Sequence, residues 1–297
     1  MGFPTGAQFT ITAAGYSATV VEAGGGLRTL TYAGADLVAG YGPTEVITGA
    51  RGQLLMPWPN RIRDGAYSYA GSAQQLPLSE PKLTNASHGL VRWCSWQPIA
   101  VATDRVRLGY RLMAQSGYPW TLALTATYAV ATTGLTVTLS ATNESPSPAP
   151  FAAGMHPYLT VGEPVDALTL TMPAARRQLV DERLLPTATE PAAGEWDFRG
   201  GRPIGTLKLD DAFTSLTRDA DGRAVVRLEG SRAVELWLDE SWHWMQVFTG
   251  DTLSSGARAA VAVEPMTAPA DAFNSGADLI ALAPGQTWSG SYGIHTG

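Results

Sequence analysis

Leu122-Ala123-Leu124-Thr125-Ala126-Thr127-Tyr128-Ala129-Val130-Ala131-Thr132-Thr133-Gly134-Leu135-Thr136-Val137-Thr138-Leu139-Ser140-Ala141 is the stretch that decides the fold. Leu122, Leu124, Ala126, Tyr128 and Val130 fall at every second position, and Leu135, Val137, Leu139 and Ala141 resume the alternation. Side chains along a strand point alternately to opposite faces, so a period of two reads as a half-buried strand. The link Ala131-Thr132-Thr133-Gly134 supplies a glycine free to take a positive φ and reads as a hairpin loop. Just upstream, Val106, Leu108, Tyr110 and Leu112 share one face, with Arg105, Arg107 and Arg111 on the other.

Shorter strand-like runs lie at Phe9–Ala13, Ala18–Glu22, Leu27–Tyr32, Val225–Leu228, Val234–Leu238, Met245–Thr249 and Ala259–Glu264. Turn residues separate them, as in Ala33-Gly34-Ala35-Asp36 and Asp219-Ala220-Asp221-Gly222. No long window carries a 3.6-residue period, although Ala174–Leu185 is ambiguous between helix and strand. The expectation is an all-β, antiparallel sandwich or barrel with few helices.

Of the 297 residues, 45% are hydrophobic and 15% charged, which suits a sizeable core and argues against disorder. The net charge of −6 lacks the basic footprint of a phosphate-backbone binder, so nucleic acid is not an expected partner. The single cysteine, Cys94, excludes an intrachain disulfide and a multi-cysteine metal site. Met1–Gly6 shows no basic-then-apolar leader, and no run approaches the ~20 apolar residues of a membrane span. A cytoplasmic protein without a membrane partner is expected. No shift in composition divides the chain, so residues 1–297 are expected to form one domain, as monomer or homodimer. Ser145-Pro146-Ser147-Pro148-Ala149-Pro150 reads as a stiff loop inside it.

Two of the four histidines, His88 and His156, sit in loop-like settings rich in glycine, proline and aromatics. His243 and His295 have no such context and read as structural; Glu240-Ser241-Trp242-His243 reads as a turn between strands. Glu264 ends an apolar run, where a carboxylate needs either a function or a salt bridge to an arginine. Asp210-Asp211 is a weaker case of the same kind. Asn60 and Arg61 follow the rigid Pro57-Trp58-Pro59 and can hold ligand oxygens, or make a surface ion pair. Trp58 suits either a sugar face or the core.

Together these segments resemble the aldose 1-epimerase (galactose mutarotase) family, in the family's order and over nearly the whole chain. The matching pieces are Asn60-Arg61-Ile62 with Gly65 and Tyr67, then His88-Gly89 with a tryptophan soon after, then His156-Pro157-Tyr158. Leu209-Asp210-Asp211-Ala212-Phe213 follows, and Val263-Glu264-Pro265 leads to Phe273-Asn274. The Gly24–Leu30 run resembles the family's opening hairpin. Departures are His88-Gly89-Leu90 for the family's frequent His-Gly-Gly, Asp210-Asp211 for Asp-His, and Pro157 where serine or threonine is common.

The resemblance implies a β-supersandwich fold and exchange of the α and β anomers of a free aldohexose, a monosaccharide substrate. By position, Glu264 would be the general base and His156 the general acid. Arg61, His88 and Asp210, with Asn60, would hold sugar hydroxyls. Asp210 rather than Asp211 matches, although the two acids are adjacent. Such chemistry opens and recloses a hemiacetal and needs no cofactor and no metal. Three alternatives stay open: a non-catalytic sugar-binding or sensing protein on the same fold, a glycoside hydrolase using Asp210 and Glu264, and a hexose-6-phosphate 1-epimerase. The last needs a cationic pocket, for which lysine is scarce (Lys82 and Lys208) but Arg63 or Arg92 is available.

Overall fold

Leu122–Ala131 and Gly134–Asn143 pair antiparallel from Leu122↔Asn143 to Ala131↔Gly134 in the computed structural model, which describes residues 2–297. Gly134 closes the turn at φ +95°, where a Cβ would come within 2.5 Å of the His295 side chain. The hairpin forms the third and fourth strands of a nine-stranded antiparallel sheet. In spatial order this sheet runs Gln97–Val101, Arg105–Leu112, Leu122–Ala131, Gly134–Asn143, Thr287–Thr296, Ala233–Leu238, Ala224–Glu229, Thr169–Thr171 and Arg202–Pro203. Thr287–Thr296 joins the central hairpin to strands from the second half of the chain.

An eight-stranded sheet carries the elements that matter most below. They are β1 (Leu54–Leu55), β2 (Gly154–Met155), β3 (Tyr158–Leu159), β4 (Asp210–Leu216), β5 (Trp244–Phe248) and β6 (Val261–Met266). The order is Pro186–Pro191, Ala174–Val180, β4, β5, β6, β2 and β1, with β3 also on β6. A four-stranded N-terminal sheet spans Gln8–Ala13, Tyr16–Val21, Leu27–Tyr32 and Ala35–Asp36.

Alternation sorts each strand between two environments. Val261 and Val263 of β6 and Met245 and Val247 of β5 enter the central apolar core, which they share with Leu124, Val137, Leu139, Leu228 and Leu236 of the nine-stranded sheet. Ala262 and Met266 point the other way, into small clusters with Tyr158 and with Ala212 and Trp244. Each large apolar side chain removed from water stabilises the core by about 1.5–3 kcal/mol. The same pleat leaves the intervening polar residues on the opposite face.

Some expected boundaries shift. The run expected at Ala259–Glu264 is a strand from Val261 to Met266, so Glu264 lies inside it rather than at its end. Ala18–Glu22 becomes Tyr16–Val21. The ambiguous Ala174–Leu185 segment is a strand to Val180 followed by a turn. The proline-rich stretch is not all loop: Ala149–Phe151 pairs with Ile280–Leu282 in a two-stranded ribbon, where a proline forfeits little because one side has no neighbour. Helix is confined to Ala272–Ser275 and three short 3₁₀ turns, and no helix among the described residues is long and apolar enough to cross a membrane.

Candidate active site

Strand register assembles the centre of the site. Gly154 pairs with Met266 and Tyr158 with Ala262, so the residue midway between them, His156, comes opposite Glu264. On the other side of β6, Gln246 pairs with Glu264, and Ala212 pairs with Gln246. Asp210 precedes Ala212 by two and therefore shares its face. His156, Glu264, Gln246 and Asp210 thus line one side of the sheet, opposite the valine core.

Across this row, His156 Nε2 lies 3.1 Å from Glu264 Oε1, with side chains only 8% and 4% exposed. Two residues more than a hundred positions apart in the chain are in hydrogen-bond contact. The partner of Glu264 is this histidine and not an arginine. The His156 ring stacks on Tyr158 (5.0 Å between centroids, 17° between planes) and meets the His88 ring edge-on at 5.7 Å. The Tyr158 hydroxyl is tied down by donating to the Gly49 carbonyl at 2.8 Å. His156 Nδ1 is buried and has no hydrogen-bond partner, so the Nε2 contact with Glu264 is what governs where the ring carries its proton.

A short ribbon brings in the second histidine. Arg61–Arg63 pairs antiparallel with Asn85–Ser87, so Asn60 and His88 emerge side by side. The Asn60 backbone N–H donates to His88 Nδ1 at 3.2 Å, and the His88 N–H donates back to the Asn60 carbonyl at 2.7 Å. With Nδ1 accepting, a neutral His88 carries its proton on Nε2 and is a donor there. Both Asn60 (φ +55°) and His88 (φ +62°) are left-handed, and Gly89 follows at φ +71°. A Cβ on Gly89 would sit 2.1 Å from the Met56 carbonyl oxygen, so this turn requires glycine.

A polar chain closes the other side. Arg61 Nε and Nη2 donate to both Glu80 oxygens at 2.7 and 2.9 Å, while Nη1 donates to Asn60 Oδ1 at 3.2 Å. Asn60 Nδ2 donates to Gln246 Oε1 at 3.2 Å, and Gln246 Nε2 donates to Asp210 Oδ1 at 2.8 Å. Asp211 points to the opposite face, 3.7 Å from Arg177 Nη1. Adjacency in sequence is separation by a sheet in space.

Burial dominates the electrostatics. It pulls the His156 imidazole down to about 3, with the charges of Arg92 and Arg51 adding to the effect. His88 is held well below the usual histidine range by burial, then by the Arg92 charge. Burial pushes Glu264 well above the carboxylate range, and Asp210's negative charge pushes the same way against the Arg61 guanidinium. Asp210 is itself raised, chiefly by burial. A lone charge on either member of the His156–Glu264 pair is therefore costly, whereas one proton shared between them leaves the pair neutral overall.

These groups surround a cleft of about 360 Å³, lined by Asn60, Arg61, His88, His156, Asp210 and Glu264 together with Glu80, Arg92, Tyr158, Gln246 and Phe248. That lies at the small end of the ~300–1,000 Å³ usual for ligand cavities. Every site residue expected from the sequence lines it. Trp58 does not: it is buried against the edge of Phe273. His243 is on the surface 3.6 Å from Asp278, and His295 lies 3.6 Å from Glu235, both away from the cleft. Arg63 is outside it too, near Asp181 and Asp271. Gln246 and Glu80 were not anticipated. Gln246 carried a signal, as the polar residue between apolar Met245 and Val247 on a buried strand. Glu80 carried none, since its tie to Arg61 spans 19 residues and the hairpin between them.

A family model described as aldose 1-epimerase matches residues 7–295. The chain is 35% identical over 285 residues to the uncharacterized protein YihR of Escherichia coli K12, covering 95% of this chain and 91% of YihR. Among solved structures, it resembles the GalM/aldose epimerase homologue from C. elegans, with TM-score 0.85 and 22% identity over 98% of this chain and 99% of that one. Galactose 1-epimerase from Lactobacillus acidophilus NCFM superposes with TM-score 0.80 and 21% identity, over 97% and 94% of the two chains.

Proposed function

The chain belongs to the aldose 1-epimerase family, and on that premise we propose that it interconverts the α and β anomers of a free aldohexose, with Glu264 as general base and His156 as general acid. The observation that carries this reading is the buried 3.1 Å contact between His156 Nε2 and Glu264 Oε1 in the cleft. Ring opening must take the proton from the C1 hydroxyl and supply one to the ring oxygen. Those two oxygens share one carbon, so a catalytic pair in contact with each other can reach both.

The pair carries one mobile proton. With that proton on His156, Glu264 accepts the C1 hydroxyl proton while His156 donates to the ring oxygen, and the C1–O5 bond breaks. Glu264 is then protonated and His156 neutral, the distribution that burial favours. Rotation about C1–C2 presents the other face of the aldehyde. O5 attacks C1, His156 recovers a proton from O5, and Glu264 returns one to the carbonyl oxygen. The protons balance without solvent. General acid and general base each contribute ~10²–10⁴-fold, and each tenfold corresponds to about 1.4 kcal/mol of barrier.

The surrounding groups divide the work of holding the sugar. His88 donates through Nε2, Asp210 accepts, and Gln246 and Asn60 keep Asp210 and Arg61 in place. Glu80 occupies most of the Arg61 fork, which leaves only part of that guanidinium for a hydroxyl. The test is anomer exchange of freshly dissolved α-glucose and α-galactose, followed by polarimetry or NMR saturation transfer with Glu264→Gln as control. Acceleration lost in the variant is expected. Sugar binding without faster exchange would instead identify a sensing protein.

A further inference from the structure

We propose that Tyr158 is a positioning residue for the general acid, its ring holding the His156 imidazole in the plane from which Nε2 reaches the sugar's ring oxygen; this rests on the reading of the cleft as an aldose 1-epimerase site. A catalytic imidazole is ordinarily oriented by a hydrogen bond at its second nitrogen. His156 lacks that bond, since Nδ1 is buried and has no partner. The contact of Nε2 with Glu264 Oε1 at 3.1 Å is a single point of attachment, about which the ring can still turn. The terminal torsion of a histidine is broad, so packing has to set it.

Tyr158 follows His156 by two positions, and the two side chains share one face. Their rings stack at 5.0 Å between centroids and 17° between planes. The His88 ring meets the imidazole edge-on, at 76°, and leaves open a tilt that the nearly parallel Tyr158 ring opposes.

Tyr158 is itself fixed. It is buried, and its hydroxyl is spent in donating to the Gly49 carbonyl at 2.8 Å. The Arg51 guanidinium lies over the ring, 5.1 Å from its centroid, where the negative face of the π-system attracts a cation. Arg51 Nη1 is held in turn by donating to Thr48 Oγ1 at 3.0 Å. The same turn grips the His156 backbone. The Gly52 N–H donates to the His156 carbonyl at 2.9 Å, and the His156 N–H donates to the Gln53 carbonyl at 3.2 Å. Backbone and ring of the general acid are thus both referred to one short segment, 48–53, the ring by way of Tyr158.

The test measures kcat and KM for anomer exchange by NMR on the intact protein, with whichever of α-glucose and α-galactose the wild type turns over faster. Tyr158→Leu removes the ring and should lower kcat by about 10- to 100-fold, the cost of a catalytic group displaced by about an ångström, with KM within about twofold of wild type. Tyr158→Met fills the space with a flexible chain and repeats the measurement should the leucine variant unfold. Tyr158→Phe keeps the ring and should restore most of the loss. In a His156→Gln background, Tyr158→Leu should lower the residual kcat by less than about twofold, because a residue that acts through His156 has nothing left to position. Independent, multiplying losses in that background, a raised KM in place of the lowered kcat, or a Tyr158→Phe as impaired as Tyr158→Leu would overturn the inference while the mutarotase reading stands. If the wild type exchanges neither sugar faster than buffer does, the mutarotase reading fails and takes the inference with it.

Discussion

Replacing Glu264 by glutamine should abolish turnover and at the same time make the protein more stable at mildly alkaline pH. Glutamine keeps the shape of the side chain and can still bond to His156 Nε2, so the fold has no reason to change. Activity should fall by ~10²–10⁴-fold, the usual worth of a general base. The stability effect follows from proton linkage. Burial raises Glu264 above its unfolded value of 4.5, so above that pH the folded chain binds more protons than the unfolded one, and stability falls as pH rises. His156 works in the opposite sense. Its folded value near 3 lies below 6.5, so the unfolded chain binds more protons in that window and stability falls as pH drops. The two contributions oppose each other from about 4.5 to 6.5, and above 6.5 His156 no longer contributes, leaving the raised carboxylates, Glu264 foremost and Asp210 with it. There the wild type should lose stability as pH rises, by no more than about 1.4 kcal/mol per pH unit from Glu264. Glu264→Gln should lose less stability than the wild type over that range. Urea unfolding at several pH values, alongside anomer exchange on the same samples, makes the measurement. A variant whose stability tracks the wild type from pH 6.5 to 8, or one that still exchanges anomers at near-normal rate, would refute the reasoning.

Other consequences can be checked with the same assays. His156→Gln should lower kcat by ~10²–10⁴-fold with the fold intact by circular dichroism. Glu80→Gln breaks the bidentate tie to Arg61, a pair only 13% and 26% exposed; it should cost about 1–3 kcal/mol in denaturant unfolding and raise KM more than it lowers kcat. Gly89→Ala places a methyl 2.1 Å from the Met56 carbonyl oxygen at φ +71°; a thermal melt should show about 2–4 kcal/mol of destabilisation.

The sequence by itself determined the class of fold, because strand identity is local. Period-two alternation in Leu122–Ala141 and turn residues between short apolar runs are read within a few positions, and most boundaries fell within about two residues of their places. The order of weak motifs also carried the family resemblance, and with it the residues now found around one cleft. Tertiary structure alone decided how they meet. Whether His156 faces Glu264 depends on the pairing of β2, β3 and β6, and a one-residue slip would send either side chain to the other face. The same pleat separates Asp210 from Asp211, a distinction their shared chemistry conceals. Gln246 and Glu80 joined the site through contacts between segments distant in the chain. Register and packing are summed over such segments, so no local pattern records them.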